Sequence, residues 1–450
     1  MSTFYFTLRV TPNMSNPDAN EIEGAYASCW VCDDDPIAAI SRICFKIKQY
    51  DWDIIDIEDH PSVVTAEDFA GKDIGLEHFN IAQEQSMSFV LAAWAKDGKS
   101  SYGPVKLERP DSFDLDAYIS GMKKLSRKGR CLHYDAGNRC AKIIDAHSIQ
   151  KNGVLSLIAE VGKVYTISKN FSDIIRNHGG LSFTKQGINT VSTFRGFCSE
   201  HDNQLFEPID KCELIPTKQQ ILLYSFRALC REIFVKKNVL TLMEEQKEKH
   251  KEQKTLQEAF EGMYLGTKFS LKNLLHQKHK YESSIKTKAF EDIKSVVFVS
   301  EQEPSLVFSG LFYPDFDFLG RQLQDLSDHE RYLDLLTFSF APMKQGWGFI
   351  FAWHTESSDT CIPFMQSLAT RSYDDNNLED NLFRLVVSCC ENLAIRPQWW
   401  ESLQEQERVK ITKATCHGVD VFTPIRYDYL AKGLENISSW KFESVISDMA

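Results

Sequence analysis

The 450-residue sequence lacks several features, and each absence removes a class of protein. No window approaches the ~18 uncharged apolar residues that a helix needs to cross a bilayer. A membrane partner is therefore not expected. The opening MSTFYFTLRVTPN has no basic start followed by an apolar core and a small-residue cleavage site, so no export signal is read in it. The twelve cysteines are scattered without the density of a disulfide scaffold, and some, such as Cys44 and Cys230, sit inside apolar runs. That usage fits the cytoplasm, where spaced cysteines bind metal or pack. There is no Gly-rich phosphate loop, no G-x-S-x-G, no internal repeat and no low-complexity tract. Those absences argue against P-loop nucleotide chemistry, a nucleophile-elbow hydrolase and a repeat architecture.

Positive charge is also in short supply. There are 51 Lys and Arg against 63 Asp and Glu, a net charge of −12. General adhesion to nucleic acid is not expected of such a chain, because phosphate binding is dominated by Lys and Arg. One segment reverses the balance. From Gly121 to Lys151, eight basic residues (Lys123, Lys124, Arg127, Lys128, Arg130, Arg139, Lys142, Lys151) face two acids, Asp135 and Asp145. Such a run is either a solvated helix face or a phosphate contact beside a reactive site.

What is present falls into four parts, making an α+β multidomain protein. Residues 1–105 alternate strands and helices: FYFTLRV, YASCWVC, a helix capped by Asp35 with Pro36 at its first position, WDIIDIED, two short helices from Thr65, and MSFVLAAWA. This predicts a ferredoxin-like α+β domain. Residues 111–215 hold a cysteine and histidine cluster, with VLSLIAEVGKVYTIS expected as two strands about a turn and FSDIIRNHGGLSFTKQGINTVSTF as a polar insertion or long loop. Residues 216–293 have no proline after Pro216 and read as a long helical hairpin, an arm suited to spacing, to a protein partner or to homo-oligomer formation. Residues 294–450 carry aromatic, β-branched runs followed by helices, a C-terminal α+β domain.

Four residues carry metal-ligand chemistry: Cys131, Cys140, Cys198 and His201. They form a wide C-x8-C and a tight C-x2-H, and structural zinc is held by four such ligands, commonly as two pairs. His133 and Cys212 are alternative ligands. Knuckle, hairpin and helix in that order is a treble-clef arrangement, and residues 131–210 resemble the HNH family of metal-dependent endonucleases, with their ββα-metal core. The resemblance implies that His147 in DAHSIQKN is the general base and that Asp202 or Asn203 in CSEHDN is a ligand to catalytic Mg²⁺ or Mn²⁺, with Zn²⁺ structural. It implies Asn152 or Asn189 as the central asparagine, and nucleic acid, most simply DNA, as the partner. Lys128, Arg130, Arg139, Lys142 and Lys151 are the candidate phosphate contacts. Where the family carries a metal-binding Asp or His directly before the base, this chain has Ala146, with Asp145 one position further back. The family also suggests a role in bacterial defence against foreign DNA. The alternative is a non-catalytic, zinc-stabilised binding or scaffold protein.

Weaker signals default to packing. These are Cys29 and Cys32 in CWVC, the adjacent Cys389 and Cys390, and the Asp315–Asp317 pair in YPDFDF with His329 nearby.

Overall fold

A computed structural model of the chain describes residues 2–96, 101–104, 115–137, 140–167, 182–251, 254–375, 377–416 and 427–449. The chain divides into two compact units, one of residues 1–117 with 243–263 and one of 118–242 with 264–450. Among the described residues no helix is long and apolar enough to cross a membrane. Arg139 and the expected 105–111 boundary lie outside the described residues, as does much of the expected insertion.

The first unit is built on a five-stranded antiparallel sheet. Its strands are β1 (Ser2–Pro12), β2 (Ile22–Asp33), β3 (Trp52–Val64), β4 (Met87–Ala95) and β5 (Ser101–Pro104), in the order β3-β1-β2-β4-β5. Helix α1 (Pro36–Lys48) starts as expected, with the Asp35 side chain accepting from the Ile37 amide and Pro36 in the first turn. Helix α2 (Asp73–Gln85) precedes β4. The α+β class holds, but the ferredoxin-like β-α-β-β-α-β order does not. The chain opens with a β1–β2 hairpin, and its two helices pack on opposite faces. The reason is legible in CWVC, which is apolar on both faces. Cys29 and Val31 join the α1 side, and Trp30 and Cys32 join the α2 side. Cys29 and Cys32 are therefore separated by the sheet and cannot pair.

The second unit begins with α3 (Leu115–Lys128), which crosses its boundary. A short antiparallel pair follows, β6 (Ile143–His147) with β9 (Thr193–Cys198), leading directly into α4 (Ser199–Asp210). Between these strands come helical turns at Lys151–Leu155 and Ser156–Ile158, then β7 (Lys163–Ile167) and β8 (Phe183–Gly187). The expected strand over VLSLI is thus helical, and the hairpin that frames the cysteine cluster is β6–β9 instead. The turn at Val161–Gly162 is where expected, both residues having positive φ.

Strands β7 and β8 do not stay with the cluster. They extend a sheet made of β10 (Ile293–Ser300), β11 (Leu306–Phe312), β12 (Leu336–Pro342), β13 (Trp347–His354), β14 (Leu393–Ile395) and β15 (Ser444–Ser447), in the order β15-β10-β13-β12-β11-β14-β7-β8. Tyr165 pairs with Ile395, and the Thr166 hydroxyl donates to the Leu393 carbonyl at 2.8 Å. The expected boundaries at 215 and 294 therefore run through one shared core.

The helical hairpin is α5 (Lys218–Lys249) and α6 (Lys254–Thr287). Its base is not a projecting arm. Ile221 through Phe226 and Ala228 through Cys230 are all buried, the signature of a helix enclosed on every side. They pack with Val297, Ile350 and Ala352 on one face of the large sheet, while α7 (Ser358–Asp375) and α8 (Leu378–Cys389) supply Phe364 and Leu382 to the other. The tryptophans at 347 and 353 are core. Asp317 orders a turn by accepting from the Leu319 and Arg321 amides, and His329 packs edge-on to Phe269, so YPDFDF makes no carboxylate site with it.

The β12–β13 connection fixes one residue type. Gly346 has φ +75°, and a Cβ there would lie 1.8 Å from the Ser300 carbonyl oxygen. Gly346→Ala is expected to cost at least about 1–2 kcal/mol from left-handed backbone alone, with the clash added. Chemical denaturation followed by tryptophan fluorescence reads this; an unchanged midpoint contradicts it.

Candidate metal centre and adjoining cavity

The metal-ligand cluster is assembled from three backbone pieces. The Arg130 and Leu132 amides donate to the Arg195 and Gly196 carbonyls, both at 2.8 Å, which lays Cys131 alongside the end of β9. A turn closed by the Cys140 amide on the Gly137 carbonyl presents Cys140. Cys198 ends β9 and occupies the N-cap position of α4, and His201 lies in the first turn of that helix. The four side chains converge, with all donor atoms within 4.8 Å of one another. His201 Nδ1 lies 3.4 Å from Cys131 Sγ, 3.7 Å from Cys140 Sγ and 3.3 Å from Cys198 Sγ. Cys198 and His201 are buried, and the other two are half-buried. This group could hold a metal ion.

The alternative ligands are excluded by position. His133 stacks face to face on His201 at 4.1 Å, and its Nδ1 accepts from the Asp135 amide. Cys212 is exposed and stands outside the group. Beneath the cluster Phe197 and Phe206 meet edge to face at 5.1 Å, both fully buried, so β9 and α4 share a hydrophobic floor.

Beside the cluster lies a cavity of about 240 Å³. From β6 it is lined by Asp145 and His147, from the following turn by Lys151 and Asn152, and from α4 by Asp202 and Asp210. Arg227 of α5 also lines it. The structure thus brings His147 and Asp202 together. Asn203 is exposed and stands outside this lining, so of the two only Asp202 borders the cavity. Asn152 is at the cavity, whereas Asn189 is exposed and outside the lining.

The histidine is held in a defined state. Its Nε2 lies 3.1 Å from the Ile188 carbonyl oxygen, which can only accept. The proton therefore sits on Nε2, and Nδ1 is the basic nitrogen. Burial pushes its pKa below the ordinary 6.5; the Ile188 bond opposes this, and the charges of Lys151 and Arg227 add to the lowering. The neighbouring Ser148 hydroxyl is clamped 2.7 Å from that of Ser192 and receives a bond from Asn392. The end of β6 is therefore fixed to the large sheet.

Asp202 has one buried oxygen, Oδ1, without a hydrogen-bond partner. Burial pushes its carboxyl up, Arg227 opposes that, and Asp210 adds to it. Arg227 is itself buried and binds Asp210 through both terminal nitrogens, at 2.7 and 2.5 Å, while its guanidinium lies 4.1 Å over the Phe206 ring. Asp210 and Arg227 were not singled out in the sequence. The signal that could find Arg227 is its place as a cation inside the apolar run ILLYSFRALC, where burial demands a counter-charge.

The expected phosphate contacts scatter. Lys151 lines the cavity, while Lys128 and Lys142 are exposed outside its lining. Arg130 turns inward, donating to Asn238 at 2.5 Å and lying over Phe234. Ala146 is buried at 4 % exposure, and the Asp145 carboxylate lies 3.7 Å from Arg195. No protein-family model matches the chain, and no curated protein or solved structure matches it significantly.

Proposed function

We propose that the chain is a metal-dependent endonuclease of HNH type, with a structural zinc on Cys131, Cys140, Cys198 and His201 and a phosphodiester-cleaving site in the adjoining cavity. The observation that carries this reading is the convergence of His147, with a free basic nitrogen, and Asp202, with an unpartnered buried oxygen, on one cavity. Zinc is supported by donor chemistry and spacing. Zn–S of about 2.3 Å and Zn–N of about 2.0–2.1 Å give tetrahedral S···N edges of about 3.5 Å, and the three observed edges are 3.3, 3.4 and 3.7 Å. The order of turn, β6–β9 pair and α4 supports a treble-clef reading with a long insertion between its strands.

Mg²⁺ or Mn²⁺ on Asp202 would supply a Lewis acid toward a phosphodiester oxygen. His147 Nδ1 takes the proton of the attacking water, and the Ile188 carbonyl holds the ring in the productive tautomer. Lys151 offers positive charge to the phosphate inside the cavity.

Plasmid cleavage in Mg²⁺ or Mn²⁺ tests this. The wild type is expected to nick or linearise DNA, and His147→Ala to slow it about 10²–10⁴-fold. Because His147 is held below 6.5, the acid limb of the kcat/KM profile is expected below pH 6.5: the base is already unprotonated above it. A limb above that value rejects His147 as the base.

The competing reading is a zinc-stabilised binding or scaffold protein. What favours it is the shortage of metal-binding oxygens: Ala146 is core, Asp145 pairs with Arg195, and Asp210 pairs with Arg227. One zinc per chain with no cleavage of DNA or RNA under any of these conditions selects it.

A further inference from the structure

We infer that the outer face of α3 is a nucleic-acid backbone rail that feeds the His147 cavity; this rests on the phosphodiester reading of that cavity. Helix α3 is amphipathic. Gly121, Met122 and Leu125 are partly buried, while Ser120, Lys123, Lys124, Arg127 and Lys128 are exposed. The outward positions fall three and four residues apart, so the four cations form a single stripe. No ion pair among the described residues engages any of them.

A bland account of the stripe covers only half of it. Arg127 and Lys128 sit in the last turn, where cations suit the helix dipole. Lys123 and Lys124 lie a full turn earlier, and nothing in the helix calls for them. A face made only for solvation in a chain of net charge −12 would mix signs. From Lys123 to Lys128 this one carries no acid.

The helix that carries the stripe is also tethered. Arg195 of β9 donates to the Arg127 carbonyl at 2.6 Å and to the Ile143 carbonyl at 3.3 Å, and its Nε lies 3.7 Å from Asp145. One side chain thereby ties the last turn of α3 to the strand that carries His147. Asp145 lines the cavity, so the last turn of α3 is tied through Arg195 to a residue of the cavity wall. Lys151 continues the positive charge inside. Two pairs of cations one helical turn apart, outside every ion pair among the described residues, suit the repeating charge of a polynucleotide.

The test is fluorescence anisotropy with a short labelled DNA duplex, titrated at several salt concentrations without added Mg²⁺ or Mn²⁺. A variant carrying Lys123→Glu, Lys124→Glu, Arg127→Glu and Lys128→Glu is compared with the wild type and with His147→Ala. All four positions are exposed, so zinc content and circular dichroism should not change. The expected result is at least tenfold weaker binding by the fourfold variant. Its slope of log K against log salt should be shallower by about 3.6 if all four cations neutralise a phosphate, since each contributes about 0.9. His147→Ala should bind as the wild type does. An unchanged affinity and slope in the fourfold variant overturns the rail, as does a wild type that does not bind. If binding responds to α3 but no protein cleaves DNA, the rail stands and the catalytic reading falls.

Discussion

Cys198→Ser is expected to abolish zinc binding and to unfold the central part of the second unit. Wild-type protein purified without chelator should carry one zinc per chain by elemental analysis, and the variant close to none. The size of the effect follows from where the cluster sits. Its four ligands come from the segment before β6, the end of β9 and the first turn of α4, pieces with few other reasons to meet. The segment of residues 130–132 is pinned to β9 by two backbone bonds, and the turn at Cys140 by one local bond. A structural zinc contributes roughly 10–16 kcal/mol of binding free energy, against about 5–15 kcal/mol for the net stability of a domain. Burial pushes the Cys131 thiol of the metal-free chain up to about 11, so that thiol stays protonated unless a cation replaces its proton. The variant should therefore lose its thermal transition or show it far below the wild type, and a strong chelator should do the same to the native chain. A normal melting curve in a zinc-free Cys198→Ser protein would remove the metal from the structure altogether. Cys212→Ser, at an exposed position outside the cluster, should leave zinc content and melting unchanged.

The ligand set was legible because it rests on residue type and local spacing. C-x2-H can be judged within one turn of chain, and the wide C-x8-C needed only a loop between its cysteines. The hairpin was misplaced for the opposite reason. VLSLIAEVGKVYTIS is apolar on both sides of a good turn, so it resembles a local hairpin. The strands that frame α4 instead pair across residues 148–192, and nothing local announces that. Distance along the chain hid Arg130 in a different way. Its charge suggested phosphate, but Phe234 and Asn238, far away in sequence, give it a buried partner. The four-domain division failed because a helix reading stops at its own ends. The sequence shows that 218–249 is helical, not that its near-continuous apolar surface lies against a sheet on one side and the cysteine module on the other. Ala146 became intelligible only with coordinates. It is buried in the core with Phe194 and still borders the cavity between Asp145 and His147, where it offers only a methyl group.

Asp210→Ala is expected to destabilise the second unit by about 3–5 kcal/mol, and Arg227→Met by markedly less, although both break the same ion pair. The asymmetry comes from unequal burial. The Arg227 side chain is 4 % exposed and that of Asp210 33 %. Removing Asp210 leaves a buried guanidinium without its hydrogen-bonded carboxylate; its Nε already has no hydrogen-bond partner, and the Phe206 face and the more distant Asp202 offer only weak substitutes. Removing Arg227 leaves a carboxylate that water can reach. Methionine fills much of the vacated volume and keeps a contact on Phe206. The double variant should therefore lie near Arg227→Met, not at the sum of the two, because each single change removes the same interaction. Denaturation midpoints of the four proteins give the comparison. Equal losses for the two single variants, or additive ones, would mean that the pair is solvated in solution and that Arg227 is not part of a buried wall. The pair also bears on the site. Arg227 counters the upward push of burial on the Asp202 carboxyl, so Arg227→Met should depress Mg²⁺-dependent cleavage while leaving zinc content intact, separating the cavity's chemistry from the cluster that supports it.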